Sequence, residues 1–367
     1  MVRRPRIKFS HRPVRYGEYH VRIGGIVPGV RGDLVDRDGW VWALLELLDG
    51  SRTVDSVTET MTKSFPRWPA GMVRAAIDDL VLAGHVEDAD ETASGLDEVT
   101  EERYSRSEAL FGWMDRSPLR TGREAQVSLR QAGVVVIGLG GVGCTAALAL
   151  VLSGVGRLHC VDRDVVEVSN LNRQVLYTEA DVGRTKVAAA VSRLRSHNSA
   201  ADITGAQADV DGPSSLRALA TDFDVVLLAA DTPREIRSWT NRACLETGSP
   251  WVYAGYHGPL ITVGLHRPGE GPCADCEPAE QRARLASLPE RTEWSPGIDK
   301  VVPQAANAVS AGCAGTLAAQ AVISLITGVP ALPANRRFGF NLMTMESVPV
   351  PAAAQPSPLC PSCGLAR

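Results

Sequence analysis

No stretch of the 367-residue sequence approaches the apolar length of a membrane span, and its first twenty residues, MVRRPRIKFSHRPVRYGEYH, hold no apolar core of the kind a signal peptide needs. A cytoplasmic location with no membrane partner is the expectation. Nor is there a large charge of one sign. The 38 Lys and Arg against 42 Asp and Glu leave a formal net charge of −4, which argues against a general binder of nucleic acid or anionic membrane. No internal repeat is present, and the seven histidines show no mutual spacing that suggests a catalytic or metal cluster. Charge bias is only local: residues 1–31 carry eight Lys and Arg against the single acid Glu18, and residues 87–102 carry eight acids and no Lys or Arg. Solvated surface accounts for both.

What is present is length for more than one domain and a strong motif. VVVIGLGGVGCTAALAL, residues 134–150, runs from an apolar strand through Gly138, Gly140, Gly141 and Gly143 into an alanine-rich helix. Glycines without Cβ let backbone approach phosphates, and free N–H groups at a helix start attract anions. Asp162, closing the next apolar run GRLHCVD, stands where a carboxylate commonly accepts from ribose hydroxyls. NAD and ATP both fit to this point. Arg173 and Lys186, thirteen residues apart, decide between them: hydride transfer has no need of two further cations, whereas pyrophosphate departing from a triphosphate develops charge that they can neutralise. Asp231, ending DFDVVLLAAD, is placed to hold the Mg²⁺ that bridges the phosphates. Singly these would read as surface charge and a helix cap.

Strand and helix patterns alternate from residue 134: strand 134–137, helix from Cys144, strand 158–161, helix 185–195, strand 223–230, helix 233–247, strand 251–254. This predicts an α/β fold with a doubly wound, Rossmann-like, mostly parallel sheet. The strand LITVGLHR follows, then a polar stretch 277–300 expected to loop out, then a long small-residue helix ending at Gly328.

The phrases GLGGVG, VDRDVVEVSNLNRQVLYTEADVGRTK and AADT, with a closing pair of C-x-x-C motifs, resemble the adenylating domain shared by ubiquitin-activating enzymes and the bacterial sulfur-carrier adenylyltransferases of thiamin and molybdopterin synthesis. The resemblance implies that Asp162 takes the ribose, that Asn170, Arg173 and Gln174 face the phosphates and adenosine, and that Lys186 meets the phosphates and Asp231 the metal. ERYSRSEALFG is similar to the family's lead-in to the domain, which would make Arg106 an arginine reaching into the partner subunit of a homodimer. Ser107 and Thr232 depart from the family's usual Gln and Asn.

Cys273/Cys276 in CADC and Cys360/Cys363 in CPSC form two chelating pairs with 83 residues between them. Four thiolates leave no open position, so zinc there would be structural; two disulfides are the alternative that a reducing compartment disfavours. Cys144, Cys160, Cys244 and Cys313 lie in apolar patterns and read as buried thiols. The family often uses a cysteine on the crossover loop, but residues 277–300 contain none, so the chemistry is expected to stop at an acyl-adenylate.

The first 90 residues differ. Short β-like runs broken by Pro13, Gly17 and Gly24 precede three amphipathic helices, marked by Trp40, Leu44, Leu47 and Leu48, by Val57, Met61 and Phe65, and by Val73, Ile77, Leu80 and Val81. This winged-helix-like pattern would ordinarily suggest DNA binding or a dimerisation module. LLELLDGSRTVDSVTETMTKSF followed by IDDLVLAGHVED instead resembles the leader-peptide-binding domain of ribosomal peptide pathways, whose type member is the peptide chaperone of pyrroloquinoline quinone synthesis. The expected layout is a leader-binding domain over 1–92, an acidic linker over 93–102 and an adenylating domain over 103–367. The expected activity is ATP-dependent adenylation of the C-terminal carboxylate of a precursor peptide. A sulfur-carrier adenylyltransferase is the alternative, and a non-catalytic scaffold that presents peptide to a cyclodehydratase is a third.

Overall fold

The computed structural model describes residues 2–90, 95–117, 121–289 and 305–364. The chain forms two compact units, residues 1–128 with 327–331, and residues 129–326 with 332–367.

In the first unit, β1 (Pro5–Ile7), β2 (Val14–Tyr16), β3 (His20–Ile23) and β4 (Gly32–Val35) precede α1 (Trp40–Leu47), α2 (Val54–Ser64), α3 (Ala70–Leu82) and β5 (Val86–Asp88). The strands form two small antiparallel sheets, β1 with β5 and β2-β3-β4, where the sequence suggested one strand pair. The helical stripes meet in one core that includes Trp40, Leu44, Val57, Met61, Val73 and Ile77, closed by Val21 and Ile23 of β3. Thr53 caps α2 by accepting from the Ser56 N–H at 3.2 Å, and Asp36 accepts from the first free N–H groups of α1, those of Val41 and Trp42, at 3.0 Å each.

The acidic stretch read as a linker is in part a helix. α4 (Glu98–Met114) begins inside it, with Asp97 accepting from the Thr100 N–H at 2.8 Å and Glu98 and Glu101 in the first turn, where negative charge complements the helix dipole. Residues 93 and 94 of that stretch lie outside the described residues. α5 (Gly122–Gln131) follows. Lys8 and His11 are both buried against the end of α4: the Lys8 ammonium donates to the Asp115 carbonyl at 2.7 Å, and His11 Nε2 lies 3.2 Å from the Trp113 carbonyl oxygen. His11 Nδ1 faces His85 Nδ1 at 3.2 Å.

The second unit is built on β6 (Gly133–Ile137), α6 (Gly141–Ser153), β7 (Arg157–Asp162), α7 (Lys186–His197), β8 (Asp202–Gln207), α8 (Pro213–Asp222), β9 (Val225–Leu228), α9 (Ile236–Thr247), β10 (Trp251–His257), β11 (Leu260–His266), α10 (Cys276–Ala286), α11 (Ala308–Thr327), β12 (Arg336–Asn341) and β13 (Glu346–Val348). They give one sheet of order β13-β12-β11-β10-β9-β6-β7-β8. The five strands from β10 to β8 are parallel and β11 to β13 antiparallel. Every residue of β6 is buried, as a continuous apolar strand covered on both faces requires. The chain runs β6-β7-β8 in one direction and then crosses to β9 and β10, so the order reverses between β6 and β9. A crevice opens at the carboxyl ends of strands at such a reversal.

Two expectations need correction. The stretch 277–300 is helical at its start, since α10 reaches Ala286, and residues 290–304 lie outside the described residues. α11 is, at 20 residues, long and apolar enough to cross a bilayer, but 61% of that apolar window is buried inside the protein. It is a core helix, rich in the small residues that close packing favours.

Candidate active site

The glycine loop sits at that reversal because the space admits no side chain. Gly138 has φ +94°, and a Cβ there would lie 2.8 Å from the Ala229 backbone; one on Gly143 would lie 1.8 Å from the Gly138 carbonyl oxygen. A Cβ on Gly140 would meet nothing within 4 Å, so that glycine leaves open space in front of the first turn of α6. The loop is tied to β7 through Asp162, whose Oδ2 accepts from the Leu139 N–H at 2.6 Å and Oδ1 from the Asp164 N–H at 2.8 Å. Behind it, the Tyr177 hydroxyl and Cys144 thiol both donate to the Leu139 carbonyl, at 3.1 and 3.2 Å.

A cleft of about 780 Å³ runs across the strand ends in front of this loop. Gly138, Gly140, Gly141, Asp162, Arg173, Gln174, Lys186 and Asp231 all line it. Lys186 opens α7, is 6% exposed, and donates to Asp164 Oδ2 at 2.8 Å. Arg173 donates through Nη1 to the Ser169 carbonyl at 2.8 Å and to Asn172 Oδ1 at 2.9 Å. Its other guanidinium donors have no partner among the described residues. Gln174 lines the cleft but is only 3% exposed, and its Oε1 is buried with no partner among the described residues. Asp231 is exposed at the end of β9, with Thr232 Oγ1 3.3 Å from Oδ1. Glycine cradle, helix start and cations together fit a nucleotide triphosphate, and the exposed carboxylate fits its magnesium.

Three expected residues stand apart. Gly143 lies within the first turn of α6, where it permits the tight turn and does not line the cleft. Asn170 is buried and not on the cleft wall; its Oδ1 accepts from the Glu167 N–H at 3.1 Å and so shapes the loop that carries Arg173. Arg106 is exposed on α4 in the first unit and is not a lining residue. Conversely, Asp164, which pairs with Lys186, was hidden in the sequence by the ribose-binding reading of its neighbour Asp162; the D-x-D spacing at the strand end was the available signal. The far wall, with Trp239, Tyr256 and Arg237, had no signal at all.

Burial pushes the Cys144, Cys160 and Cys244 thiols up to about 12, which makes them inert. Cys313 is half-buried on α11 in an apolar cluster with Val142 and Ile261.

Cys273, Cys276, Cys360 and Cys363 converge away from the cleft, their four Sγ atoms all within 4.8 Å of one another. The separations of 3.8 Å (Cys273 to Cys276), 3.5 Å (Cys273 to Cys360) and 3.3 Å (Cys276 to Cys363) approach the edge of about 3.8 Å that a tetrahedron of 2.3 Å zinc–sulfur bonds would have. Asn241 Nδ2 donates to Cys273 Sγ at 3.3 Å and to Asp275 Oδ2 at 2.9 Å, and the Ser357 N–H donates to Cys276 Sγ at 3.4 Å. All eight cysteines are free thiols, so the two-disulfide alternative is not what this arrangement holds. The donor set fits one soft, tetrahedral cation.

Residues 114–362 match the ThiF family. The sulfur carrier protein ThiS adenylyltransferase of Bacillus subtilis is 36% identical over 269 residues, 71% of each chain. The adenylyltransferase and sulfurtransferase MOCS3 of Sus scrofa is 41% identical over 156 residues, 42% of this chain and 34% of that one. Among solved structures, E. coli MccB with MccA-N7isoASN superposes with a TM-score of 0.77 at 23% identity, covering 98% of this chain and 99% of that chain; MccB with ATP gives 0.75 at 22% identity, with the same coverage.

Proposed function

Given that this chain belongs to the ThiF family and is an adenylyltransferase that uses ATP, we propose that it adenylates the C-terminal carboxylate of a ribosomally made precursor peptide. The observation that carries the peptide reading is one of coverage. The ThiF match begins at residue 114, whereas the likeness to MccB extends over 98% of the chain, so it includes the N-terminal unit. MccB is a microcin C7 biosynthetic enzyme solved with N-formylated MccA.

In the proposed reaction a carboxylate oxygen bonds to the α-phosphorus of ATP, the bond from that phosphorus to the bridging oxygen breaks, and pyrophosphate leaves. The product is a mixed acyl-phosphate anhydride, which a nitrogen or sulfur nucleophile then attacks. Asp162 and Gln174 would hold the nucleoside, the N–H groups at the start of α6 the phosphates, and Asp231 the magnesium. Lys186 must exchange Asp164 for phosphate oxygens, which keeps a buried ammonium paired in both states and avoids the large cost of an isolated one. Arg173 supplies unpartnered donors as negative charge moves onto the leaving group. Arg106 would complete the partner's site in a homodimer, and the four cysteines would hold one structural zinc.

The N-terminal unit would capture the leader. In the sheet β2-β3-β4 the outer strands β2 and β4 have no further strand partner among the described residues, and strand addition is a common mode of peptide capture. Arg12, Arg15 and Arg22 would favour a leader with acidic and apolar residues, with Arg15 and Arg22 having to exchange their pairs with Asp36 and Asp33. Tethering raises the local concentration of the reacting terminus, so the leader should lower KM more than it raises kcat.

The test is exchange of labelled pyrophosphate into ATP with three additions: the full precursor, the same peptide without its leader, and a ubiquitin-like carrier ending in Gly-Gly. Exchange with precursor, at lower KM than with leaderless peptide, is expected. Exchange with the carrier alone would establish the second reading, sulfur-carrier adenylation, which the 36% identity to ThiS adenylyltransferase favours.

A further inference from the structure

The cleft spans the ends of strands from β7 to β10, and its two ends differ in charge. On the β7–β8 side of the glycine loop, Arg163 is paired with Asp209 at 3.0 Å and Lys186 with Asp164 at 2.8 Å, and Asp162 and Asp211 also line the wall. On the β10 side the wall carries Arg234 and Arg237 and, beyond Asp231 at the end of β9, no acid. With nucleoside at β7 and phosphates at β6, the β10 side is left for the acyl substrate.

Arg237 is held ready there. Its guanidinium carbon lies 4.8 Å from the centroid of the Tyr253 ring, and it has no acidic partner among the described residues. The platform beneath it is rigid. Tyr253 is 7% exposed, stacks on His266 with centroids 5.7 Å apart, and meets Trp251 at 5.5 Å with the rings tilted by 36°. Its hydroxyl is further held by Arg337, itself paired to Glu277 at 2.7 Å. Cation–π attraction holds a guanidinium over the ring face while its N–H donors remain for a planar acceptor such as a carboxylate.

We propose that Arg237 is a specificity-determining residue that binds an acidic side chain of the peptide next to its reacting C-terminal residue. This rests on the peptide reading above. Tyr253, the β10 residue beneath Arg237, is in register with Leu228, which ends the neighbouring strand β9 three residues before Asp231. Neighbouring strands are about 4.8 Å apart, comparable with the roughly 3.5 Å from one residue of an extended peptide to the next. The contact therefore falls to the penultimate residue, while the terminal carboxylate meets the α-phosphate.

The experiment uses the full-length chain and three synthetic peptides identical except at the penultimate position, Asp, Asn or Lys, assayed by peptide-dependent pyrophosphate exchange. The wild type is expected to show the lowest KM for the Asp peptide, about tenfold below the Asn peptide, as befits one charge-assisted contact, with similar kcat. Arg237→Ala should remove that preference, Arg237→Lys should keep part of it, and Arg237→Glu should invert it toward the Lys peptide. ATP affinity by calorimetry verifies that each variant retains its nucleotide site. No preference in the wild type, or an equal loss with all three peptides in Arg237→Ala, overturns the assignment while leaving peptide adenylation standing. If the wild type adenylates none of the three but does adenylate a Gly-Gly carrier, peptide adenylation falls and this assignment with it.

Discussion

Replacing Cys360 by Ser removes one of four converging thiols and separates zinc binding from mere sulfur proximity. Cys360 lies at the C-terminal end of the second unit, and its Sγ is 3.5 Å from that of Cys273, which precedes α10. The site thus fastens the tail to the body of the unit, with Asn241 of α9 donating to Cys273. Structural zinc contributes about 10–16 kcal/mol, so one thiolate in four accounts for about 2.5–4 kcal/mol. Each kcal/mol moves the melting temperature of a domain this size by about 2–4 °C, giving a drop of about 5–16 °C. Metal analysis of the wild type should give about one zinc per chain, and Cys360→Ser should lose most of it and melt lower by that amount. A strong chelator, which removes the metal from all four thiolates, should lower the wild-type melting temperature by at least as much. Metal-free wild-type protein in which all four thiols react freely and melting is unchanged by Cys360→Ser would refute the reasoning.

Arg173→Ala and Asp231→Ala should each lower pyrophosphate exchange by about a hundredfold or more, since each removes charge stabilisation from the leaving group or its metal; near wild-type exchange in both would contradict their placement. Chains carrying Arg106→Ala mixed with chains carrying Asp231→Ala should regain part of the activity that each lacks alone if Arg106 acts across a dimer, and no recovery would remove the support for that role. Burial, followed by the neighbouring His11, lowers His85 to about 4. The native ring therefore stays neutral where the unfolded chain takes up a proton, so its stabilisation is complete above about pH 6.5 and lost as pH falls toward 4, by about 3 kcal/mol in all. Denaturant titrations at pH 7 and pH 4.5 should show it, with a smaller change in His85→Gln; a pH-independent midpoint would contradict it.

The strand, loop and helix around Gly138 were legible because each is a local pattern: an apolar run, glycines at fixed offsets, then an alanine-rich helix. The two C-x-x-C pairs were legible for the same reason, although their meeting depends on the fold. The Lys186 to Asp164 pair was not, because its members are 22 residues apart and meet only when β7 and the start of α7 converge. The opposite error came from composition. Acidic and polar runs were read as linker and loop, yet the acids of residues 97–101 cap and charge-complement α4. Pro278 sits in the first turn of α10, where a missing N–H costs nothing. β12 and the edge strand β13 are mostly exposed or partly buried, too polar to announce themselves. The far wall of the cleft is assembled from β10 and the first turns of α9, with no motif of its own.

The most direct test of adenylation is to follow the oxygen. With heavy-oxygen label in both positions of the peptide's C-terminal carboxylate, attack on the α-phosphorus followed by capture of the acyl group must leave AMP carrying one labelled oxygen, with unlabelled pyrophosphate, as read by mass spectrometry. Unlabelled AMP, or release of ADP and phosphate in its place, would contradict an acyl-adenylate.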